Sequence, residues 1–197
     1  MIKVYAARGT RSQRVIWVLE ELGAPYETVS LTFPPRMHHP EFFAISPAGA
    51  LPAIEDDGVV LIESLAICEY LSRKFAGRLV VGAEEPGFTD YLQFLHFGEG
   101  TLAPPLAWAR RFGPRLESVM ADAREAFALR LAVVEHALAD GRAYLAADRL
   151  TLADISVGYT LGLSDLAGLH QLLPASVLAY EARLEARPAY QRAYQPA

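Results

Sequence analysis

Residues 46–64 read SPAGALPAIEDDGVVLIES, and the fold turns on how this stretch is parsed. Pro47 to Gly49 make a turn. Leu51-Pro52-Ala53-Ile54 opens a short strand. Asp57-Gly58 is the dipeptide of a tight hairpin, and Val59 to Ile62 form the returning strand. Glu63-Ser64 stands directly before an apolar-periodic run, Leu65, Ile67, Cys68 and Leu71, so Ser64 is the expected N-cap of a helix reaching about residue 76.

Pro52 sits where a strand tolerates proline, at its first residue, outside the hydrogen-bond ladder. A proline there can be cis, as in many deliberately shaped turns. A cis Leu51–Pro52 bond turns the Leu51 N–H and C=O away from their own sheet, free to pair with an extended peptide ligand. The first turn of the following helix offers unbonded N–H groups and the positive end of the helix dipole, where a carboxylate is stabilised. A backbone clamp next to an anion site describes a receptor for a small acidic peptide.

Working outward, residues 3–6 read as a strand. Gly9-Thr10-Arg11-Ser12 is a loop that becomes a helix with the apolar stripe Val15, Ile16, Leu19 and Leu22. Gly23 stops it, with Pro25 just beyond. Residues 26–31 form a second strand. Strand–helix–strand is a crossover unit that makes parallel neighbours. Residues 33–46 carry three of the prolines and read as an irregular loop with a short helix near 40–44. The first region is therefore βαβ followed by ββα, an α/β unit over residues 1–77.

Residues 78–87 form a linker. Beyond it, residues 88–197 read as all-helical. One long helix spans 88–112, kinked at Pro104-Pro105. A second runs from 115 to about 140. Thr151-Leu152-Ala153-Asp154 has the form of a capping box that opens a third. A last helix covers 176–186 and stops before Pro188.

The chain has 197 residues, enough for two small domains with proper cores. Apolar residues make up 52% and charged residues 21%, which places it among globular chains. A net charge of −5 argues against a nucleic-acid surface. No apolar run reaches the length of a membrane span. Cys68 is the single cysteine, so neither an internal disulfide nor a structural zinc site is expected. A cytoplasmic protein is the simplest reading.

Four segments in order then resemble the soluble glutathione S-transferases: RSQRVIWVLEELGAPYE (11–27), PEFFAISPAGALPAI (40–54), ESLAICEYL (63–71) and LTLADI (150–155). The segment YLQFLHFGEGTLAPPL is further similar to bacterial and fungal members. The resemblance implies a thioredoxin-like N-terminal domain and an all-helical C-terminal domain. It implies that Leu51, before the cis Pro52, pairs its backbone with the cysteinyl part of glutathione, and that Glu63 and Ser64 hold the γ-glutamyl end. Charge agrees: Ser64 and its helix start suit a carboxylate, and Glu63 suits an ammonium. His39 or His38 is the candidate for the glycyl carboxylate, with Arg36 a further possibility. The family often places lysine or glutamine two residues before the cis proline. Ala50 stands there here, so that side-chain contact is missing.

Such chemistry needs a glutathione thiolate, and a free thiol is largely protonated at neutral pH. A hydroxyl at the start of the first helix lowers the thiol pKa by donating to the sulfur, and the helix dipole adds to it. Similar members carry Ser-Arg-Ser where this chain has Thr10-Arg11-Ser12. Thr10 is the first candidate, Ser12 the second. Tyr5 stands where tyrosine-type members carry theirs, and Arg11 supplies positive charge. Each has a plainer reading: Thr10 or Ser12 as an N-cap, Tyr5 as core.

Tyr91, Phe94, Leu95, Leu102, Trp108 and Phe112 are candidates to wall an apolar pocket for the electrophile, with about half expected to be core or interface. His96 and Glu99 share a helix face and read as a surface pair. Cys68 reads as inert core. Glu55-Asp56-Asp57 reads as a solvated turn. The expected function is conjugation of glutathione, as co-substrate, to small hydrophobic electrophiles in detoxification. Homodimer formation is expected, with no tightly bound cofactor and no metal. Glutathione-dependent peroxidase or isomerase activity, glutathione binding without turnover, and a pure interaction module are the alternatives.

Overall fold

The computed structural model describes residues 1–75 and 77–194. They fall into two compact units, one made of Met1–Val80 with the segment from Arg187 onward, the other of Val81–Ala186. The first unit runs β1 (Ile2–Ala6), α1 (Ser12–Leu22), β2 (Tyr26–Ser30), the short α2 (Pro35–His38), a 3-10 turn at Pro40–Ala44, β3 (Ala53–Asp56), β4 (Val59–Ile62) and α3 (Ser64–Lys74). The second contains α4 (Phe88–Phe97), a π turn at Gly98–Leu102, α5 (Ala103–Phe112), α6 (Glu117–Leu138), α7 (Leu152–Leu166), a 3-10 turn at His170–Leu172 and α8 (Ala175–Glu185). The last element, α9 (Pro188–Tyr194), returns to the first unit.

The sheet order is β2-β1-β3-β4, with β1 and β2 parallel and the other pairs antiparallel. This is the expected βαβ-ββα unit. Ile2, Val4 and Ala6 alternate inward on β1. Against them packs α1 (Val15, Val18, Leu19), and α3 (Ile67, Cys68, Leu71) packs on α1 and on β3 and β4, all of these side chains fully buried. Each such aliphatic side chain contributes roughly 1.5–3 kcal/mol. Gly23 ends α1 in the left-handed conformation, its N–H reaching the Leu19 and Glu20 carbonyls. Asp57 and Gly58 both have positive φ, as the two-residue hairpin requires. The helix start at Ser64 agrees with expectation, but Ser64 is the first helical residue and Glu63 occupies the N-cap. The expected end of this helix at Ala76 lies outside the described residues.

The helical pattern of residues 88–197 was expected to form one domain. Instead α9 packs on α1. Trp17, fully buried, meets the Tyr190 ring edge-on at 4.9 Å. Arg187 grips the Glu21 carboxylate with two nitrogens, at 2.6 and 2.8 Å. The proline read as a stop is the first residue of α9, where its missing N–H costs nothing. The last residues of that range lie outside the described part.

The long helix expected over 88–112 is two helices. Pro104 and Pro105 fall in the first turn of α5, so they break no hydrogen bond of an existing helix. The irregularity sits upstream, where α4 runs against α7. A Cβ on Gly98 would collide with the Ser156 side chain and carbonyl. The Ser156 hydroxyl donates to the Leu95 carbonyl at 2.8 Å, supporting the chain where it enters the π turn.

Asp154 exceeds its expected capping role. It is fully buried, and its carboxylate accepts four hydrogen bonds: from the Leu145 N–H (2.8 Å), the Tyr180 hydroxyl (2.9 Å), the Thr151 N–H (2.8 Å) and the Thr151 hydroxyl (2.9 Å). Burial pushes its pKa up, and these donors oppose the shift. One side chain thus joins α7, α8 and the segment before α7. Among the described residues, no helix is long and apolar enough to cross a membrane.

Candidate functional site

The strand register gathers the predicted residues at one edge of the sheet. Ala6, the end of β1, lies beside Ser30, the end of β2. Tyr5 pairs with Ala53, the start of β3, and Ala53 with Ile62, the end of β4. The loops leaving β1, β2 and β4 and the segment entering β3 therefore share that edge. They carry Thr10, His38 and His39, Ser64, and Leu51, in that order. A cavity of about 300 Å³ opens at the same edge, lined by Ala6, Arg8, Gln13, Ile16, Thr28 and Ser30 among others.

The Leu51–Pro52 bond is cis. The β3 ladder begins only at Ala53, and neither the N–H nor the C=O of Leu51 joins a turn or loop hydrogen bond among the described residues. At the start of α3, the first hydrogen bond runs from the Ile67 N–H to the Glu63 carbonyl at 2.9 Å. The Ser64, Leu65 and Ala66 N–H groups ahead of it have no acceptor in a helix start of this kind. The Ser64 side chain is largely buried, and no hydrogen bond among the described residues engages its hydroxyl. Glu63 is exposed and has φ 71°, rare for a residue with a side chain. That conformation sets an acidic group beside the open helix end.

The loop after β2 separates its three basic candidates. His39 is committed internally: its Nε2 accepts from the Thr32 N–H at 3.1 Å, leaving Nδ1 to donate to Glu41 at 3.2 Å. Both ring nitrogens of His39, one of the two histidines expected at the glycyl carboxylate, thus have partners in the loop. His38 and Arg36 are exposed and make no hydrogen bond or ion pair among the described residues. Gly49, at φ 57°, lies against Arg36, and a Cβ there would stand 2.8 Å from that of Arg36. Arg36 is thereby held next to the turn that leads to Leu51.

At the start of α1, two hydroxyls close on one backbone carbonyl. Thr10 Oγ1 lies 2.6 Å from the Ala7 carbonyl oxygen and 2.6 Å from Ser12 Oγ. Ser12 Oγ lies 3.1 Å from the same carbonyl and accepts the Ala7 N–H at 3.2 Å. Gln13 braces the loop: its Oε1 accepts the Gly9 N–H, and its own N–H reaches the Thr10 carbonyl, both at 3.1 Å. Thr10 retains 9% exposure and Ser12 none, although Ser12, and not Thr10, is among the residues lining the cavity. Arg11, at the N-cap of α1, is exposed.

Tyr5 is occupied elsewhere. Its hydroxyl donates to the Glu55 carboxylate, and that hydrogen bond, aided by burial, pushes its pKa up to about 12. A phenol has one proton to donate, and this one is taken. The same contact corrects the reading of residues 55–57 as a solvated turn. Glu55 holds Tyr5, and the buried Asp56 accepts from Lys74 (2.5 Å) and from the Tyr70 hydroxyl (2.8 Å). Only Asp57 is exposed. Cys68 is fully buried, and desolvation pushes its thiol up to about 12, in keeping with inert core.

Of the apolar pocket candidates, Tyr91, Phe94, Leu95 and Leu102 are core residues of the second unit, buried where α4 and the π turn pack on α7. Trp108 and Phe112, one turn apart on α5, stay 43% and 42% exposed. Ala7 and Gln13 were not foreseen. Backbone carbonyls carry no sequence signal, and a glutamine three residues after a threonine matches the capping-box pattern only in hindsight.

The fold defines a class: a thioredoxin-like unit followed by an all-helical unit. A family model described as the glutathione S-transferase N-terminal domain matches residues 10–74. Glutathione S-transferase 4 of Zea mays is 32% identical over 209 residues, covering 98% of this chain and 92% of that protein. Glutathione S-transferase 3 of Schizosaccharomyces pombe is 36% identical over 110 residues, 55% of this chain; the match spans less than half, 45%, of that relative's length. Among solved structures, a glutathione transferase family member from Pseudomonas fluorescens Pf-5, with two glutathione bound, superposes with a TM-score of 0.84 at 28% identity, covering 98% of this chain and 92% of that one. The chain belongs to the glutathione S-transferase family.

Proposed function

We propose that the protein is a glutathione transferase, joining the glutathione sulfur to an electrophilic carbon of a small apolar molecule. The observation that carries this reading is the register. It brings the unpaired backbone of Leu51, the open start of α3 with Ser64, and the Thr10 hydroxyl to one edge of one sheet. Leu51 pairs with the cysteinyl backbone. Ser64 and the α3 N–H groups hold the γ-glutamyl carboxylate, and Glu63 accepts from its ammonium. Arg36 or His38 takes the glycyl carboxylate. Thr10 donates to the sulfur and favours the thiolate, with the α1 dipole in support. The Pseudomonas relative solved with glutathione supports the ligand, and the names of the relatives support the reaction.

Of the six apolar pocket candidates, Trp108 and Phe112 are the two that stay exposed on the second unit. The homodimer, detoxification role and cytoplasmic setting rest on the family resemblance. Glutathione binding without turnover is a second reading, favoured by Ala50 and by the internal hydrogen bonds of Thr10. Calorimetric titration with glutathione, followed by initial rates on an aryl halide, separates the two. Binding with turnover supports the transferase. Binding alone supports the carrier, and no binding at millimolar glutathione removes both.

A further inference from the structure

Three oxygens form a closed triangle at the start of α1: Thr10 Oγ1, Ser12 Oγ and the Ala7 carbonyl, with edges of 2.6, 2.6 and 3.1 Å. Only two protons are available for these three edges, because the carbonyl has none. The edge left without a proton cannot be the 2.6 Å contact between the hydroxyls, since two oxygens that close repel unless a proton lies between them. The same holds for the 2.6 Å Thr10–Ala7 edge, so in the free protein Thr10 donates to the Ala7 carbonyl, Ser12 donates to Thr10, and the 3.1 Å edge is left without a proton. When Thr10 turns its proton toward an approaching thiolate, Ser12 still donates to Thr10.

We propose that Ser12 is a positioning residue for the thiolate, acting through Thr10. This rests on the assignment of Thr10 as the group that meets the sulfur. The ordered chain runs from the Ala7 N–H to Ser12 Oγ, from the Ser12 hydroxyl to Thr10 Oγ1, and from the Thr10 hydroxyl to sulfur. Each donor in such a chain polarises the next, so Thr10 becomes a stronger donor than an isolated threonine. The thiol proton itself leaves to water. Neither hydroxyl gains or loses a proton, and only the direction of the Thr10 proton changes. Ser12 has no exposed surface and acts through Thr10, so its role is to position and not to catalyse.

The test measures the pKa of the bound glutathione thiol by ultraviolet thiolate absorbance in wild type, Ser12→Ala, Thr10→Ala and the double variant. Affinity for S-methylglutathione, which has no thiol to ionise, and the melting temperature are followed in parallel. Ser12→Ala should give a thiol pKa between those of wild type and Thr10→Ala. Its conjugation rate below neutral pH should fall about two- to fourfold, with S-methylglutathione affinity unchanged. The double variant should match Thr10→Ala, because a relay without its last member carries nothing. If Ser12→Ala does not fold, Ser12→Cys, a poor donor of similar shape, is read in its place. A Ser12 variant with the wild-type thiol pKa overturns the relay, as does a double variant whose shift exceeds that of Thr10→Ala. A Thr10→Ala protein with the wild-type pKa overturns the assignment of Thr10 itself, and the relay with it.

Discussion

Tyr5 and Glu55 lie diagonally across the β1–β3 pair, and the carboxylate holds the tyrosine's only proton. This places Tyr5 in the structural framework of the sheet rather than at the sulfur. Tyr5→Phe should lower stability by about 1–2 kcal/mol, the value of a partly exposed hydrogen bond to a charged group. It should change the conjugation rate by less than about threefold, roughly the 0.6 kcal/mol of a minor contact. A loss of two orders of magnitude with normal glutathione affinity would reinstate Tyr5 as the thiol's partner.

Ser64 presents the opposite case, a largely buried hydroxyl that no group among the described residues engages. Its removal therefore has little to cost the fold. Ser64→Ala should leave the melting temperature nearly unchanged while weakening glutathione binding by about 1–3 kcal/mol, as for a hydrogen bond to a carboxylate. An unchanged dissociation constant would move the γ-glutamyl end elsewhere.

Asp154 is predicted to matter for stability alone. A lost helix cap costs about 0.5–2 kcal/mol. Here the side chain also serves the Leu145 N–H and the Tyr180 hydroxyl, two buried donors that would be left unpaired. Asp154→Ala should then cost about 2–4 kcal/mol, read by denaturant unfolding. Glutathione affinity per folded molecule should not change. A selective loss of affinity would show a role this account lacks.

The pair Asp56–Lys74 sets a pH dependence. The hydrogen bond from Lys74 holds the Asp56 carboxyl below its ordinary pKa, with Tyr70 assisting. A carboxyl depressed on folding stabilises the protein above its unfolded pKa, about 3.9. That contribution is lost as pH falls through the lower, folded value. Lys74→Met removes the cation, so acid unfolding should begin at a higher pH than in wild type. Coincident acid-unfolding curves would show that the pair contributes nothing.

The sheet and most helices were legible because their signals are local: Asp57-Gly58 for the hairpin, Gly23 for the end of α1, and the 3.6-residue stripes. Three features were not. Pro188 looks the same whether it ends one helix or begins another; burial of Trp17 against Tyr190 decides. The π turn at Gly98 depends on the close approach of Ser156, 58 positions away in sequence. Glu55 and Asp56 read as solvated charges because their partners, Tyr5 and Lys74, come from other elements. Around the candidate site, the cis Leu51–Pro52 bond and the helix start at Ser64 were legible from the hairpin and the apolar run that follows it. The roles of Thr10, Ser12 and His39 were not, since each depends on which hydrogen bonds the loop has already taken.

The central claim is that Thr10, at the start of α1, stabilises a glutathione thiolate held at this edge of the sheet. Its most direct test is the ultraviolet absorbance of the bound thiolate as a function of pH, in wild type and in Thr10→Ala, at saturating glutathione. The account predicts a thiol pKa well below that of free glutathione in wild type, and a return toward the free value in Thr10→Ala with binding retained. An undepressed pKa in the wild-type complex, or an equal depression in both proteins, would contradict it.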